Sequence, residues 1–126
     1  MKERIDEDLK RARQALESAE RNLKENDLLT AANRNFIACE NAIYVLLKSK
    51  FGSSTISRMK ILTRLREVSS KAKETYDSAY DLRVQADYGR KARLFPLNQE
   101  NLEKSIREVK EIVEKASEII NKKFIL

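Results

Sequence analysis

Residues that break helices are scarce in this chain: its 126 residues include only two glycines, Gly52 and Gly89, and one proline, Pro96. Glycine and proline are the residues that most strongly destabilise a helix interior. Because the stretches before Gly52, between Gly52 and Gly89, and after Pro96 are long and contain neither residue, the sequence favours a few long helices. It shows none of the strict apolar–polar alternation that is typical of strands.

Apolar residues recur every three or four positions near both ends of the chain, which is the pattern of an amphipathic helix. The first stripe predicts a helix that ends at Asn26-Asp27, and the second predicts a helix capped by Asn98. The two stripes are Ile5, Leu9, Ala12, Leu16, Ala19 and Leu23, and Leu102, Ile106, Val109, Val113, Ala116 and Ile120.

A second helix is expected from about Leu28 to Lys50, with Gly52 as its left-handed cap and Ser53 or Ser54 starting the next helix. Residues 42–47 are apolar on nearly all sides, which is typical of a helix covered by several neighbours.

Two further helices are expected between Gly52 and Pro96. The third spans about 55–68, and the fourth runs from about 71 to Tyr88, after a break at Ser69-Ser70. Gly89 ends the fourth helix, and Pro96 makes residues 90–97 a loop. The expected inward residues of the third helix are Ile56, Met59, Leu62 and Leu65. We expect one all-α domain over residues 1–126, an up-and-down bundle of four long helices plus a shorter fifth.

The single cysteine, Cys39, rules out an intramolecular disulfide and fits a reducing compartment. We expect it to be a buried apolar filler. The chain has no apolar run of ~18 residues and no signal-peptide core at its start. We therefore expect a cytoplasmic protein that does not bind or cross a membrane. There is no histidine, no metal-ligand spacing and no glycine-rich phosphate loop, so no metal or cofactor is expected.

The net charge of +6 is concentrated in one segment. Residues 48–73 carry eight basic side chains against one acidic residue, Glu67. Such a patch attracts phosphate backbones or an acidic protein, although a solvated helix face has the same composition. Phe51 is the single aromatic residue in this segment, which argues against a stacking platform there.

Two polar residues interrupt the second helix. At about 100° per residue, Arg34 and Asn41 lie on one face, two turns apart. If this helix is central, that face is not free in water, and a guanidinium there needs a partner.

The fourth helix offers such a partner surface. Tyr76, Tyr80, Arg83 and Asp87 lie on its expected inward face, whereas Glu74, Asp77 and Asp81 point the other way. Arg83 and Asp87 have the i, i+4 spacing of an ion pair. Two interpretations remain open: a buried polar network that fixes helix register, or a polar cleft for phosphate or carboxylate.

Two stretches resemble the HEPN domain, in particular the small archaeal and bacterial group labelled UPF0332. Residues 32–47, which begin Ala-Asn-Arg-Asn-Phe-Ile-Ala, are similar to that group's S-R-A-Y-Y-A-x-F-H-A-A-x-x-L-L helix. Residues 79–88 match its A-Y-x-L-R-x-x-A-D-Y pattern at every anchor.

The resemblance implies a helical bundle that forms a homodimer, with a polar groove near the dimer seam and a role around RNA or nucleotides. Many relatives are ribonuclease toxins or pair with a small nucleotidyltransferase as antitoxin. In the ribonucleases an arginine and a histidine form the working pair. Arg34 matches that arginine, but Asn41 replaces the histidine, and an asparagine cannot transfer protons near neutral pH.

Three functions follow as expectations. The first is a non-catalytic or weakly catalytic protein that binds RNA, a nucleotide or a nucleotidyltransferase through Arg34, Asn41, Tyr80, Arg83 and Asp87. The second is an active, metal-independent ribonuclease that uses Glu40, Tyr80 or Asp87 as its acid–base group. The third is a helical scaffold that meets an acidic protein through residues 48–73.

Overall fold

The computed structural model of the protein describes residues 2–52 and 58–124, and within these ranges every regular element is an α-helix. Four helices contain 19 to 26 residues and one contains 11, which confirms the expected bundle of four long helices plus a shorter fifth. The elements are α1 (Lys2–Lys24), α2 (Leu28–Phe51), α3 (Arg58–Val68), α4 (Ser70–Tyr88) and α5 (Gln99–Phe124).

The helix ends follow local capping chemistry. The side chains of Asp27, Ser69 and Asn98 each accept a hydrogen bond from the backbone N–H three residues later, at 3.2, 3.1 and 2.8 Å. Gly52 and Gly89 close α2 and α4 with φ of +82° and +64°, a conformation that favours glycine. The expected helix start at Ser53 or Ser54, and residue Ile56, lie outside the described residues.

The central position of α2 is confirmed, since it packs against all four other helices. Its apolar residues from 42 to 47 are buried except for the partly exposed Tyr44. The stripes of α1 and α5 are buried too, apart from the partly exposed Leu23. Packing of the other four helices around α2 therefore forms the core of the bundle.

The inward face of α3 differs from the expected one. Met59 is 73% exposed, whereas Ile61 is 1% exposed and Leu65 is fully buried. Leu62 lies at the edge of the core. Ile61 and Leu65 are one turn apart and define the buried stripe, and Met59 lies about 200° from Ile61 around the helix axis. The assignment of Met59 to the core was wrong.

The chain after α4 folds back over the helix face that the sequence predicted to point away from the core. Asp81 on that face is only 4% exposed. Its carboxylate accepts hydrogen bonds from the backbone N–H groups of Arg93 at 3.1 Å, Leu94 at 3.0 Å and Phe95 at 3.4 Å. Asp81 was expected to face solvent, but the returning loop buries it.

None of the described helices is both long enough and apolar enough to cross a bilayer.

Candidate functional site between α2 and α4

An aromatic cluster holds α2 and α4 together. The ring of Phe36 from α2 lies 5.3 Å from that of Tyr76 and 5.6 Å from that of Tyr80, centroid to centroid. Phe36 and Tyr76 are buried, and Tyr80 is half-buried. Tilted and edge-on ring pairs of this kind stabilise helix packing beyond their buried area. The cluster fixes the floor of a surface between the two helices that we call the α2–α4 groove. The polar side chains of this surface are Asn33, Glu40, Arg83 and Asp87.

Arg83 lies on this floor. Its guanidinium is 5.2 Å from the Phe36 ring centroid, within the range of a cation–π contact. Its Nε donates to Asp87 Oδ2 at 3.0 Å, so the predicted i, i+4 pair is present. The same oxygen accepts a second hydrogen bond from Asn33 Nδ2 at 3.1 Å. Asp87 therefore joins the two helices.

Glu40 extends the groove by two turns of α2. It is half-buried, and this burial raises the pKa of its carboxyl group above the ordinary value, while the positive charge of Arg83 and a hydrogen bond from the Tyr44 hydroxyl partly oppose the shift. Burial also raises the pKa of Tyr44, with the charges of Glu40 and Asp8 adding to the effect. Glu40 is thus a partly buried carboxyl group within the electrostatic reach of the Arg83 guanidinium.

Arg34 and Asn41 do not join this cluster. The side chain of Arg34 is exposed, and no described residue forms an ion pair with it. Asn41 is 9% exposed, and its Nδ2 donates to the carbonyl of Ile37 in its own helix at 2.9 Å. The expected network of Arg34, Asn41, Arg83 and Asp87 therefore reduces to the Arg83–Asp87 pair.

The side chains of α2 that turn toward α4 are instead Asn33, Phe36 and Glu40, with Tyr44 beside Glu40. Their spacing of three, four and four residues is itself a helical stripe. The sequence contains this stripe, whereas the arginine-plus-histidine spacing of the related ribonucleases lies on the neighbouring face.

The expectation for Cys39 is confirmed. The residue is fully buried, and burial, with a smaller contribution from the charge of Glu40, raises the pKa of its thiol far above the ordinary value. A thiol in that state is a poor nucleophile.

In chemical terms the α2–α4 groove contains one guanidinium and two carboxylates above a floor of aromatic rings. Asp87 accepts only from the Nε–H of the guanidinium, so an incoming anion can bind the Nη–H groups but meets the negative charge of Asp87 beside them. The exposed Arg34 lies outside this balance.

A family model described as the HEPN domain matches residues 5–122 of the chain. The protein belongs to the HEPN domain family. The predicted resemblance is thereby confirmed at the level of the domain. The helical bundle of this family is a nucleotide- and RNA-related fold.

A solved structure has the same fold as this HEPN domain. It is the crystal structure of a protein from Sulfolobus solfataricus, which is 21% identical and superimposes with a TM-score of 0.71. The match covers 87% of this chain and 96% of the other. No curated protein matches the chain.

Proposed function

We propose that this HEPN domain is a homodimeric RNA- or nucleotide-binding protein that cleaves RNA poorly or not at all. The supporting observation is the state of Asn41, which occupies the position of the family's histidine. Its amide is bonded to the Ile37 carbonyl, and an amide neither gives nor accepts a proton near neutral pH. Without proton transfer, a factor of ~10²–10⁴ in rate is missing.

Phosphate binding, unlike cleavage, needs only a positioned cation. Arg34 keeps its guanidinium exposed, and a planar guanidinium binds phosphate through two parallel hydrogen bonds. Tyr80 and Arg83 lie on the floor of the groove, and Asp87 adds a negative charge beside them. In this proposal Arg34 makes the first contact and the groove residues select the ligand.

The finer proposal is membership of the UPF0332 group and a partnership with a small nucleotidyltransferase in a toxin–antitoxin pair. The match of residues 79–88 to the group's pattern supports it. Co-expression of the two proteins tests the partnership: a complex that survives size-exclusion chromatography supports it, and separate elution contradicts it.

The binding proposal is tested with fluorescein-labelled RNA and fluorescence anisotropy across a series of salt concentrations. Arg34→Ala should weaken binding and lower the slope of log K against log salt by about one phosphate contact. Arg11→Ala, at an exposed position of α1, is the control and should change neither quantity. Equal binding by the Arg34→Ala variant and the original protein would remove Arg34 from the site.

The loss of catalysis is tested by restoring the missing group. Asn41→His should raise the cleavage rate of labelled RNA by at least ~10²-fold, because a histidine transfers protons near neutral pH. The same substitution combined with Arg34→Ala should lose this gain. Cleavage by the original protein as fast as by Asn41→His would contradict the proposal.

A second candidate function, an active ribonuclease, is favoured by one observation: the raised pKa of Glu40 beside Arg83. A carboxyl group with a raised pKa is a better general acid near neutral pH. Under this alternative Glu40→Gln abolishes cleavage while Glu118→Gln, at an exposed position of α5, leaves it unchanged. Tyr80→Phe and Asp87→Asn test the other two acid–base candidates in the same assay.

A further inference from the structure

The loop of residues 90–97, between α4 and α5, is held by its backbone. Asp81 binds three consecutive N–H groups of the loop. Gln85 donates to the Phe95 carbonyl and accepts from the Leu97 N–H, both at 2.8 Å. Asn101 donates to the Pro96 carbonyl at 2.8 Å. Side chains of two helices therefore fix an irregular segment in one conformation.

The side chains of this loop, in contrast, lie on the surface. Leu94 and Phe95 are 48% and 47% exposed, and Tyr88 just before the loop is 63% exposed. Exposed aromatic rings on an ordered backbone have a low entropic cost of binding. The position of these apolar groups is therefore set before any ligand arrives.

Positive charge surrounds these rings. Arg90, Lys91 and Arg93 are all exposed, and the sequence from 88 to 99 contains no acidic residue. The Arg90 guanidinium lies 5.6 Å from the Tyr88 ring centroid. Cations interleaved with exposed aromatic rings are the combination that binds single-stranded nucleic acid. The single aromatic ring within residues 48–73, that of Phe51, is instead partly buried against the core.

A cavity of about 330 Å³ opens beside the loop, between α4 and α5. Leu82, Leu94 and Phe95 form its apolar wall, and the Lys104 ammonium lies 5.7 Å from the Phe95 ring centroid. Its other lining residues provide hydrogen-bond donors and acceptors of both charges: Lys73, Glu74, Asp77, Ser78, Asn101, Ser105 and Glu108. Three carboxylates disfavour a phosphate here, whereas a flat base with amino and carbonyl groups suits such a lining.

We propose that this loop binds single-stranded RNA. One unpaired base stacks against Phe95 in the cavity, and the phosphates beside it contact Arg90, Lys91 and Arg93. The inference rests on the proposed function only in the choice of RNA as ligand, since it uses none of the residues of the α2–α4 groove. Because stacking needs an unpaired base, the loop should prefer a single strand to the matching duplex.

The first test measures binding of a short fluorescein-labelled RNA strand, and of its duplex, by fluorescence anisotropy. Phe95→Ala should weaken binding of the single strand by about 5- to 150-fold, the range found when a stacking aromatic is removed. Phe95→Trp keeps an aromatic face and should retain most of the affinity. The hydrogen bonds that hold the loop use the backbone of residue 95, so both variants should keep the fold, which circular dichroism checks.

The second test separates a positioned patch from general positive charge. A triple alanine variant of the loop cations is compared with a triple alanine variant of α5, which changes the net charge equally. The loop variant should bind the single strand more weakly and lower the salt slope by about 2, while the α5 variant should bind as before. The substituted residues are Arg90, Lys91 and Arg93 in the loop, and the exposed Arg107, Lys110 and Lys115 in α5.

The third test fills the cavity. Ser78→Leu adds bulk to its lining without adding an aromatic face, and leucine suits a helix position. It should weaken single-strand binding as Phe95→Ala does. An unchanged affinity would overturn the insertion of a base into the cavity.

The loop proposal as a whole is overturned if Phe95→Ala and the loop triple variant bind the single strand as tightly as the original protein, or if both triple variants weaken binding equally. A loss of binding in Arg34→Ala alone, with the loop variants unaffected, would support the groove and reject the loop. A loss in the loop variants alone would do the reverse.

Discussion

Asp81 and Asp87 both lie on α4, but their carboxylates bind different kinds of partner. Asp81 is buried and accepts hydrogen bonds from backbone N–H groups of the following loop. Asp87 has a side chain that is 23% exposed, and it accepts from the side chains of Arg83 and Asn33. Asp81 therefore orders the backbone of the loop and leaves the loop side chains exposed. Asp87 instead engages the side chains of Arg83 and Asn33.

From this difference we predict which region binds an anionic ligand at lower cost. In the α2–α4 groove an anion that approaches the Arg83 guanidinium is repelled by the carboxylate of Asp87, which is bonded to its Nε. On the loop, the three cations and the exposed rings have an ordered backbone, and the neighbouring carboxylate is directed at N–H groups. Two surfaces of one helix therefore differ in availability, although each contains arginine and an aromatic ring.

The largest effect should come from Asp81→Ala. It leaves three backbone N–H groups of the loop without their acceptor, and we expect the free energy of unfolding to fall by about 2–4 kcal/mol. Urea unfolding followed by circular dichroism measures the change. Glu74→Ala, at an exposed position of the same helix, should stay within about 0.5 kcal/mol. A similarly small effect of Asp81→Ala would show that the loop holds its conformation without this carboxylate.

A smaller effect on stability is expected from Asp87→Asn. Exposed i, i+4 ion pairs contribute about 0.3–0.5 kcal/mol, so unfolding should change by less than about 1 kcal/mol. The substitution also removes the negative charge that repels an anion beside Arg83, so the groove should bind inorganic phosphate more tightly, as measured by calorimetric titration. A lower phosphate affinity would contradict this expectation and would show that Asp87 helps to form the binding site.

The smallest effect concerns the pH dependence of stability at Glu40. Its pKa is raised in the folded protein above the ordinary value of 4.5, so the folded state binds the proton more tightly than the unfolded state. The contribution of Glu40 to the free energy of unfolding is therefore fully present at pH values below about 4.5. It is lost as the pH rises through the raised pKa of the folded protein.

Glu40→Gln should remove this decline, since glutamine does not titrate. Urea unfolding at a series of pH values compares it with the original protein and with Glu118→Gln, an exposed control on α5. Parallel pH profiles for all three proteins would contradict the assignment of a raised pKa to Glu40.

The sequence predicted the helices because their signals are local. Caps at Asp27 and Asn98, glycines at positions 52 and 89, and the apolar stripes of α1 and α5 each depend on a few neighbouring residues. The predicted bounds of α2 and α4 lie within one residue of the observed ones. Gly89 and Pro96 likewise marked the loop correctly.

Contacts between elements were harder to predict, since a helical wheel describes one helix without its neighbours. Arg34 was expected to be covered because α2 is central, yet its side chain is exposed. Asp81 was expected to face water, but a loop that begins nine residues later buries it. In both cases the outcome depends on where another part of the chain passes.

Because Cys39 is fully buried, the reactivity of its thiol can report how often the helical bundle opens. It is the chain's single cysteine, it lies in the central helix, and no solvent reaches it in the closed bundle. A thiol reagent can modify it only when α2 becomes uncovered, so the rate of labelling under native conditions reports how often the bundle comes apart. Ligands or a second subunit that stabilise the bundle should slow this labelling, without any dye or substitution having been introduced.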